Sequence, residues 1–454
     1  MKSANESSRA SVTRRRFLKA STAAAAAAPY IVPSTVFGAS APSNRLAVAI
    51  IGTGNQGFLD LKLFAKQPDC EVVALCDVNQ GSDNYKNPSD VRGLDPAADL
   101  LKQMVGDRAK SVGKHRDFRE VIARDDVDAV VVVVPDHWHD LITIAAAKAK
   151  KDIYCEKPLG LTITGQQAMI RAVRENGRIL QTGSHERSNP YAEAACSLVR
   201  EGKIGRVRRV VCHIGRHNKQ SPPPGWQASQ PPAGFDYDTW LGPAPDAPYH
   251  PDRCLYNFRF ITDYAGGQTT NFGAHSIDLA QWGLGTDGTG PVEIEHEYAD
   301  YLPEGSLFDA ATYLMFRCKY EDGTVLECAT GSPAVRTTFY GDDGVVNVDS
   351  QGQNAMVIPR SLTPEKLAKR VKYHSAGDHV RNFLDCVKSR EEPNAPVEVG
   401  HRSASICHLG NIAVAMEAKL RWDPQAERFV GDRAEEANGH LERERRAPWR
   451  LESV

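Results

Sequence analysis

Two short stretches of this chain carry side chains that could move a proton between a small molecule and the protein. In Cys155-Glu156-Lys157-Pro158 the proline keeps Lys157 extended and out of a helix, so its ammonium can be aimed at a fixed point. A lysine that is partly desolvated and close to another cation titrates below its solution value, which suits it to hydrogen-bond an alcohol oxygen or relay its proton. The second stretch runs from Gly266 to Asp278, a glycine turn entering a predicted helix, where Asn271 and His275 stand four apart and would share one face. A histidine in the first turns of a helix feels its positive end, which disfavours imidazolium and keeps the ring available as a base.

These groups need a scaffold, and the sequence around Gly52 supplies one. Leu46 to Ile51 is an apolar strand-like run that leads directly into Gly52-Thr53-Gly54-Asn55-Gln56-Gly57, a G-x-G-x-x-G turn followed by a predicted helix over 58–66. Gly52 permits the tight turn, Gly54 lets backbone N–H groups, with those of Asn55 and Gln56, approach a pyrophosphate, and Gly57 lets the helix pack close to the strand. A second apolar run over 71–76 ends in Asp77, where an acidic side chain meets ribose hydroxyls and repels a 2'-phosphate. The expected cofactor is therefore NAD, with NADP disfavoured.

Helical and strand-like segments then alternate. Ala97 to Val105 and Leu141 to Lys150 read as helices, Asp128 to Val134 as a strand buried on both faces, Asp152 to Cys155 as a short strand, Thr164 to Asn176 as a helix, and Arg178 to Thr182 as a strand. This is an α/β Rossmann domain with a doubly wound parallel sheet, expected over residues 44–183. Lys157 leaves the end of one of its strands, the edge where open sheets bind ligands. Gly81 to Asp95 reads as a mobile inserted loop.

Beyond residue 183 the pattern changes to a helix over 191–201, a strand over 207–214, a long Pro/Gly/aromatic segment from Gln220 to Pro251, hairpins over 311–331 and 337–348, and helices over 380–388 and 401–420. Strands grouped apart from helices describe an α+β domain on an open, mostly antiparallel sheet, placed at 184–430. A long loop with so little periodicity is usually functional. Residues 431–454 read as a charged, solvated C-terminal tail that ends in a packed Trp449.

The 454 residues carry a formal net charge of -2, with no basic field for a phosphate backbone, so nucleic acid is not an expected partner. The ten cysteines fall singly, without C-x-x-C or zinc-ligand spacing, and no metal is expected. A two-residue Asp322-Gly323 turn would pair Cys318 with Glu327 and leave Cys318 and Cys328 as buried thiols on opposite faces. At the other end, Thr13-Arg14-Arg15-Arg16-Phe17-Leu18-Lys19 followed by an alanine-rich stretch reads as a twin-arginine export signal over 1–43, which predicts a periplasmic protein handled by the twin-arginine machinery. That route carries folded proteins, so an exported dinucleotide enzyme is expected to keep its cofactor through turnover.

Together, Gly52 to Gly57, Asp77, Pro135-Asp136-His137-Trp138-His139, Glu156-Lys157-Pro158 and Gly273-Ala274-His275-Ser276-Ile277-Asp278 resemble the Gfo/Idh/MocA (glucose-fructose oxidoreductase / inositol dehydrogenase) family across residues 45–420. Trp240-Leu241-Gly242-Pro243-Ala244-Pro245 resembles its twin-arginine-exported branch. The resemblance implies activity on sugars, polyols or glycosides, an open sheet that makes homo-oligomer contacts, and catalytic roles for Lys157 and His275. Pro135, His137 and Glu156 join the expected cofactor site; His185, Arg187 and Asp278 are the expected substrate residues. Where many members carry an aspartate four residues before the histidine this chain has Asn271, which can orient the ring but would leave His275 a weaker base by on the order of one to a few pKa units. Three functions remain open: a dehydrogenase of a secondary alcohol, a lyase or hydrolase that oxidises a glycoside transiently, and a non-catalytic NAD-binding protein.

Overall fold

A computed structural model of the chain describes residues 45–83, 85–349, 355–364 and 375–451; the expected export signal over 1–43 lies outside the described residues. Six strands, β1 (Leu46–Ile51), β2 (Cys70–Cys76), β3 (Gly113–His115), β4 (Ala129–Val132), β5 (Asp152–Cys155) and β6 (Leu180–Thr182), form a parallel sheet in the order β3-β2-β1-β4-β5-β6. The order reverses between β1 and β4, so the chains leaving those strands diverge and open a crevice at the sheet's carboxyl edge.

Alternation along β1 builds two cores. Val48 and Ile50 pack with α1 (Asn55–Ala65) and α2 (Leu94–Val105), while Ala49 and Ile51 pack with α3 (Phe118–Ile122), α4 (His139–Lys148) and α5 (Ile163–Glu175). The first of these cores is completed from far downstream. Val380, Phe383 and Leu384, on the helix Ser375–Ser389, close over Phe64 and Tyr154, and Thr182 N donates to Ala395 O at 2.8 Å. The Rossmann half is thus not the continuous segment that periodicity suggests.

The second sheet holds β7 (Val207–Ile214), β8 (Glu293–Asp300), β9 (Tyr313–Lys319), β10 (Val325–Thr330), β11 (Val335–Gly341), β12 (Val345–Asp349), β13 (Ala355–Ile358), β14 (Lys419–Asp423) and β15 (Arg428–Val430) in the order β13-β12-β11-β7-β10-β9-β8-β14-β15. Only β7 and β10 pair in parallel. One face is covered by α6 (Pro190–Arg200), by the successive helices α8 (Gly267–Asn271) and α9 (Gly273–Leu284), and by α11 (Val397–Ala415), with α7 (Tyr237–Leu241) and α10 (Ser375–Ser389) lying elsewhere. Along β9, Leu314, Phe316 and Cys318 point inward and Tyr313, Arg317 and Lys319 outward, so the opposite face stays open.

The β9–β10 turn corrects one expectation. Its loop has three residues with Gly323 at φ +89°, which pairs Cys318 with Leu326 rather than with Glu327 and brings Cys318 and Cys328 to the same buried face as free thiols. The long Gln220 to Pro251 segment makes a satellite core of its own around Phe235, Trp240 and Tyr249, joined by Phe260 and Tyr264. The inserted loop after β2 is tied rather than free: Ser82 and Arg92 exchange backbone hydrogen bonds of 2.8 and 3.1 Å.

The C-terminal tail differs most from expectation. After the short α12 (Ala434–Gly439), Arg445 donates to the buried Asp140 at 2.8 Å, Arg446 donates to Gly242 O at 2.9 Å, and the Trp449 ring meets that of Trp138 at 4.7 Å. It is a strap laid across the Rossmann half: Arg445 and Arg446 are drawn into those contacts and Trp449 packs as expected, while Glu435, Glu436, Glu442 and Glu444 stay exposed.

Candidate functional site

The crevice between the two sheets contains a cleft of about 390 Å³. One end is the glycine turn. Gly52, at φ +98°, lies so close to β4 that a Cβ there would stand 2.1 Å from Val133 O, and a Cβ on Gly57 would stand 2.1 Å from Gly52 O. Helix α1 begins at this turn with no side-chain cap and no acidic residue in its first turn, which leaves its N-terminal N–H groups for an anion. Asp77 closes the same end: its Oδ2 accepts from Thr53 N at 2.7 Å and Thr53 Oγ1 at 2.8 Å, and its Oδ1 accepts from Asn79 N at 2.8 Å. Burial pushes this carboxyl up, and those hydrogen bonds oppose the shift. A turn only glycine can make, an uncapped helix start and a carboxylate with acceptor capacity to spare fit a dinucleotide. When bound, that cofactor would supply a hydride acceptor.

The other end holds the groups that could move protons. Glu156 N donates to Val132 O at 3.0 Å, which extends the chain past β5 and delivers Lys157 into the cleft; the Lys157–Pro158 peptide is cis. Lys157 Nζ donates to Asn271 O at 2.9 Å and to Asn271 Oδ1 at 3.3 Å. An ammonium has three N–H groups, so one remains for a bound oxygen. Burial pushes Lys157 down, Glu156 pulls it back up, and the Arg259 cation lowers it again.

Asn271 therefore serves a different partner from the one the spacing implied. It ends α8, Phe272 intervenes, and His275 lies on α9, so the two do not share a continuous helix. The Asn271 amide donates to Gln268 Oε1 at 2.8 Å while its carbonyls hold Lys157. His275 lines the cleft, and its Nδ1 is buried without a partner. Burial first, then the Lys157 cation and His185, hold this imidazole well below its usual value, so it is neutral. The His185 ring lies 5.0 Å from it and contacts Glu186 at 3.4 Å.

Of the sequence candidates, Gly52, Gly54, Asn55, Gln56, Asp77 and Pro135 line the cofactor side, and Glu156, Lys157, His185, Asn271 and His275 line the far side, with Gly57 behind the turn. Three do not reach the cleft. His137 turns away so that its Nε2 meets Trp240 O at 3.0 Å. Arg187 and Asp278 pair with each other at 2.9 Å; Arg187 also binds Asp287 and Asp278 also accepts from Ser403, a buried network that joins α9 to its neighbours rather than a substrate contact.

Sequence reasoning missed several lining residues. His139, two positions past His137, has both ring nitrogens facing carbonyl oxygens, Pro158 O at 2.8 Å and Val134 O at 2.9 Å. Both nitrogens must donate, so the ring is imidazolium; burial alone would lower it, but Cys155, Asp136 and the carbonyl contact push it up to about 10. Tyr85, from the loop after β2, lays its hydroxyl over Gly54, 2.3 Å from where a Cβ would stand. Tyr256 and Arg259 enter from the stretch just past the aromatic segment. Only the Pro135-to-His139 motif could have pointed to any of these; the others come from loops without periodicity.

Known proteins share this fold. Residues 46–184 match the model of the Gfo/Idh/MocA oxidoreductase family's NAD-binding Rossmann fold, and residues 225–451 match that of the family's C-terminal alpha/beta domain. A glycosyl hydrolase family 109 protein of Stenotrophomonas maltophilia is 28% identical over 200 residues, 43% of this chain and 40% of the relative. A 1,5-anhydro-D-fructose reductase of Ensifer adhaerens is 37% identical over 119 residues, 25% of this chain and 34% of the relative. The chain thus spans two fifths or less of the length of these relatives. Among solved structures, the aldose-aldose oxidoreductase of Caulobacter crescentus in complex with glycerol shares the fold, with a TM-score of 0.60 at 20% identity over 83% of this chain and 99% of that one.

Proposed function

The chain belongs to the Gfo/Idh/MocA oxidoreductase family, and from that footing we propose that it is an NAD-dependent oxidoreductase acting on a secondary alcohol of a sugar, polyol or glycoside. The observation that carries this reading is the meeting, in one cleft with the glycine turn, of a lysine with one free N–H and a neutral histidine that no hydrogen bond occupies. In this reading the free Lys157 N–H binds the alcohol oxygen and holds it as negative charge develops, the Asn271 carbonyls fix the ammonium, and His275 Nε2 accepts the hydroxyl proton. Asp77, which would face the adenine ribose, supports NAD over NADP.

The test is a sugar-dependent change in nicotinamide absorbance in the NAD-loaded protein, compared with Lys157→Met. No absorbance change with any sugar, polyol or glycoside, in wild type and variant alike, would leave the non-catalytic reading standing. The likeness to a glycosyl hydrolase family 109 protein favours a second reading, transient oxidation followed by elimination or hydrolysis and re-reduction. Product analysis separates the two: a keto-sugar marks the dehydrogenase, a free sugar and aglycone the other.

The twin-arginine sequence at Arg14 to Arg16 supports export to the periplasm in the exported branch of the family, with the cofactor retained. Tyr298, Tyr340, Met356 and Ile358 are exposed on the second sheet and support a homo-oligomer that covers them. Cell fractionation and the mass of the protein in solution test these two points.

A further inference from the structure

Three cations surround one phenol ring at the roof of the cleft. The Arg259 guanidinium stacks 3.9 Å from the centre of the Tyr256 ring, with the Lys86 ammonium at 5.3 Å and that of Lys219 at 5.7 Å. Cation–π contact with Tyr256 steadies all three, and further bonds fix them: Arg259 donates to Tyr256 O, Lys219 donates to Lys86 O, and Asn218 donates to the Tyr256 hydroxyl at 3.0 Å. Among the described residues none of the three forms an ion pair with a carboxylate. The acid whose field reaches Arg259, Asp136, also faces the His139 imidazolium and Lys157. This end of the cleft therefore carries more positive than negative charge, held together without a counter-ion of its own.

Clustered cations on rigid partners, partly desolvated and lining a cleft, are arranged to receive an oxyanion. Arg259 and Tyr256 come from the second half of the chain and line the same cleft as Lys157 and His275, and Lys157 feels the Arg259 charge. We propose that Arg259 and Lys86, backed by Tyr256 and Lys219, form a subsite for an anionic substituent of the substrate, so that the alcohol oxidised belongs to a sugar acid or a sugar phosphate. The proposal rests on the oxidoreductase reading for the word substrate, but the anion site itself does not depend on it. Carboxylate and phosphate share the same receptor chemistry, and a bidentate guanidinium accepts either.

The experiment is calorimetric titration of the NAD-loaded protein with D-glucuronate, D-glucose 6-phosphate and D-glucose, followed by turnover measurements with the same three compounds. At least one anionic probe is expected to bind about tenfold or more tightly than glucose, in keeping with charge-assisted contacts, and to weaken as salt is raised. Arg259→Gln and Lys86→Ala should each abolish most of that preference while the NAD dissociation constant stays within about twofold. Lys86, on the loop after β2, keeps the test informative if the Arg259 variant misfolds. Tighter binding of glucuronate assigns a carboxylate, tighter binding of glucose 6-phosphate a phosphate. Equal affinity for all three probes, no binding of either anion, or variants that weaken NAD and leave the preference intact would overturn the proposal, the last by giving these cations to the cofactor pyrophosphate. Anion-selective binding without turnover would keep the subsite and remove these three compounds as substrates; turnover of glucose without selectivity would support the oxidoreductase reading and remove the subsite.

Discussion

At the scale of single residues, the division of labour between Lys157 and His275 follows from which of their atoms are already occupied. Lys157→Met removes the donor to the alcohol oxygen and His275→Ala removes the acceptor of its proton; each is expected to lower turnover about 100-fold or more while NAD binding stays nearly intact. Steady-state kinetics beside a cofactor titration checks both halves, and the double variant should lose less than the product of the two effects. Because burial and the Lys157 charge hold the His275 imidazole well below 6.5, it stays neutral as pH falls through that value, and the acidic limb of kcat/KM should lie below pH 6.5. Asn271→Asp places a carboxylate against Lys157, which favours the ammonium and should move the basic limb of the profile upward by more than the acidic limb. A shift confined to the acidic limb would instead make His275 the partner of residue 271. The glycine turn, Asp77, Lys157 and His275 were all legible in the sequence because each sits at an element end that periodicity and turn chemistry can locate. The partner of Asn271 was not, because spacing by four assumes one unbroken helix and the chain breaks it at Phe272. Arg187 and Asp278 misled for a related reason: charged side chains near a predicted site look alike in sequence whether they meet a ligand or each other.

At the scale of elements, β1, β2, β4, β5 and β6 and the hairpins β9–β10 and β11–β12 follow from apolar runs and turn residues, whereas β3, β8, β13, β14 and β15 were not legible. Strand β8 (Glu293–Asp300) is half-exposed and rich in glutamate, and it is a strand because β9 and β14 flank it. The strap after α12 escaped for the same reason: its arginines look solvated until Asp140 and Gly242 are brought beneath them. Arg445 is 11% exposed and Asp140 3%, so Arg445→Ala would leave a buried carboxylate without its cation and should cost about 3 kcal/mol or more. Thermal denaturation measures it. Trp449→Ala should lower the melting temperature too, and because Trp449 backs Trp138, which lines the cleft, it should also weaken NAD. A variant that melts early yet binds NAD as well as wild type would make the strap a brace for the fold alone.

At the scale of the whole molecule, the two-sheet architecture was legible, but not how the chain is shared between the sheets. Helix α10 follows strands β7 to β13 of the second sheet in sequence yet completes the first sheet's core, and its charges enforce this. Burial raises the Asp69 carboxyl, but Arg381 and Lys388 outweigh it and hold it at about 2; burial likewise raises Glu427, and His401, Gln167 and Arg402 bring it to about 2. Both folded values lie below the ordinary 3.8 and 4.5, so the stability these groups contribute is full above that range and is lost as pH falls from it toward 2. Urea midpoints followed down that range should drop, and Asp69→Asn with Glu427→Gln should flatten the slope. The strap also sets an order of events in time. About 390 residues separate Gly57 from Trp449, so at roughly 5–20 residues per second of synthesis the glycine turn waits on the order of half a minute to a minute for its backing wall. A nascent chain can fold the turn before the wall behind Trp138 exists; if Trp449 supports NAD binding as predicted above, cofactor capture is expected to follow synthesis and to report that the distal contacts are in place. If the proposed export of a folded, loaded protein holds, the bound nucleotide would then serve as its certificate of completion.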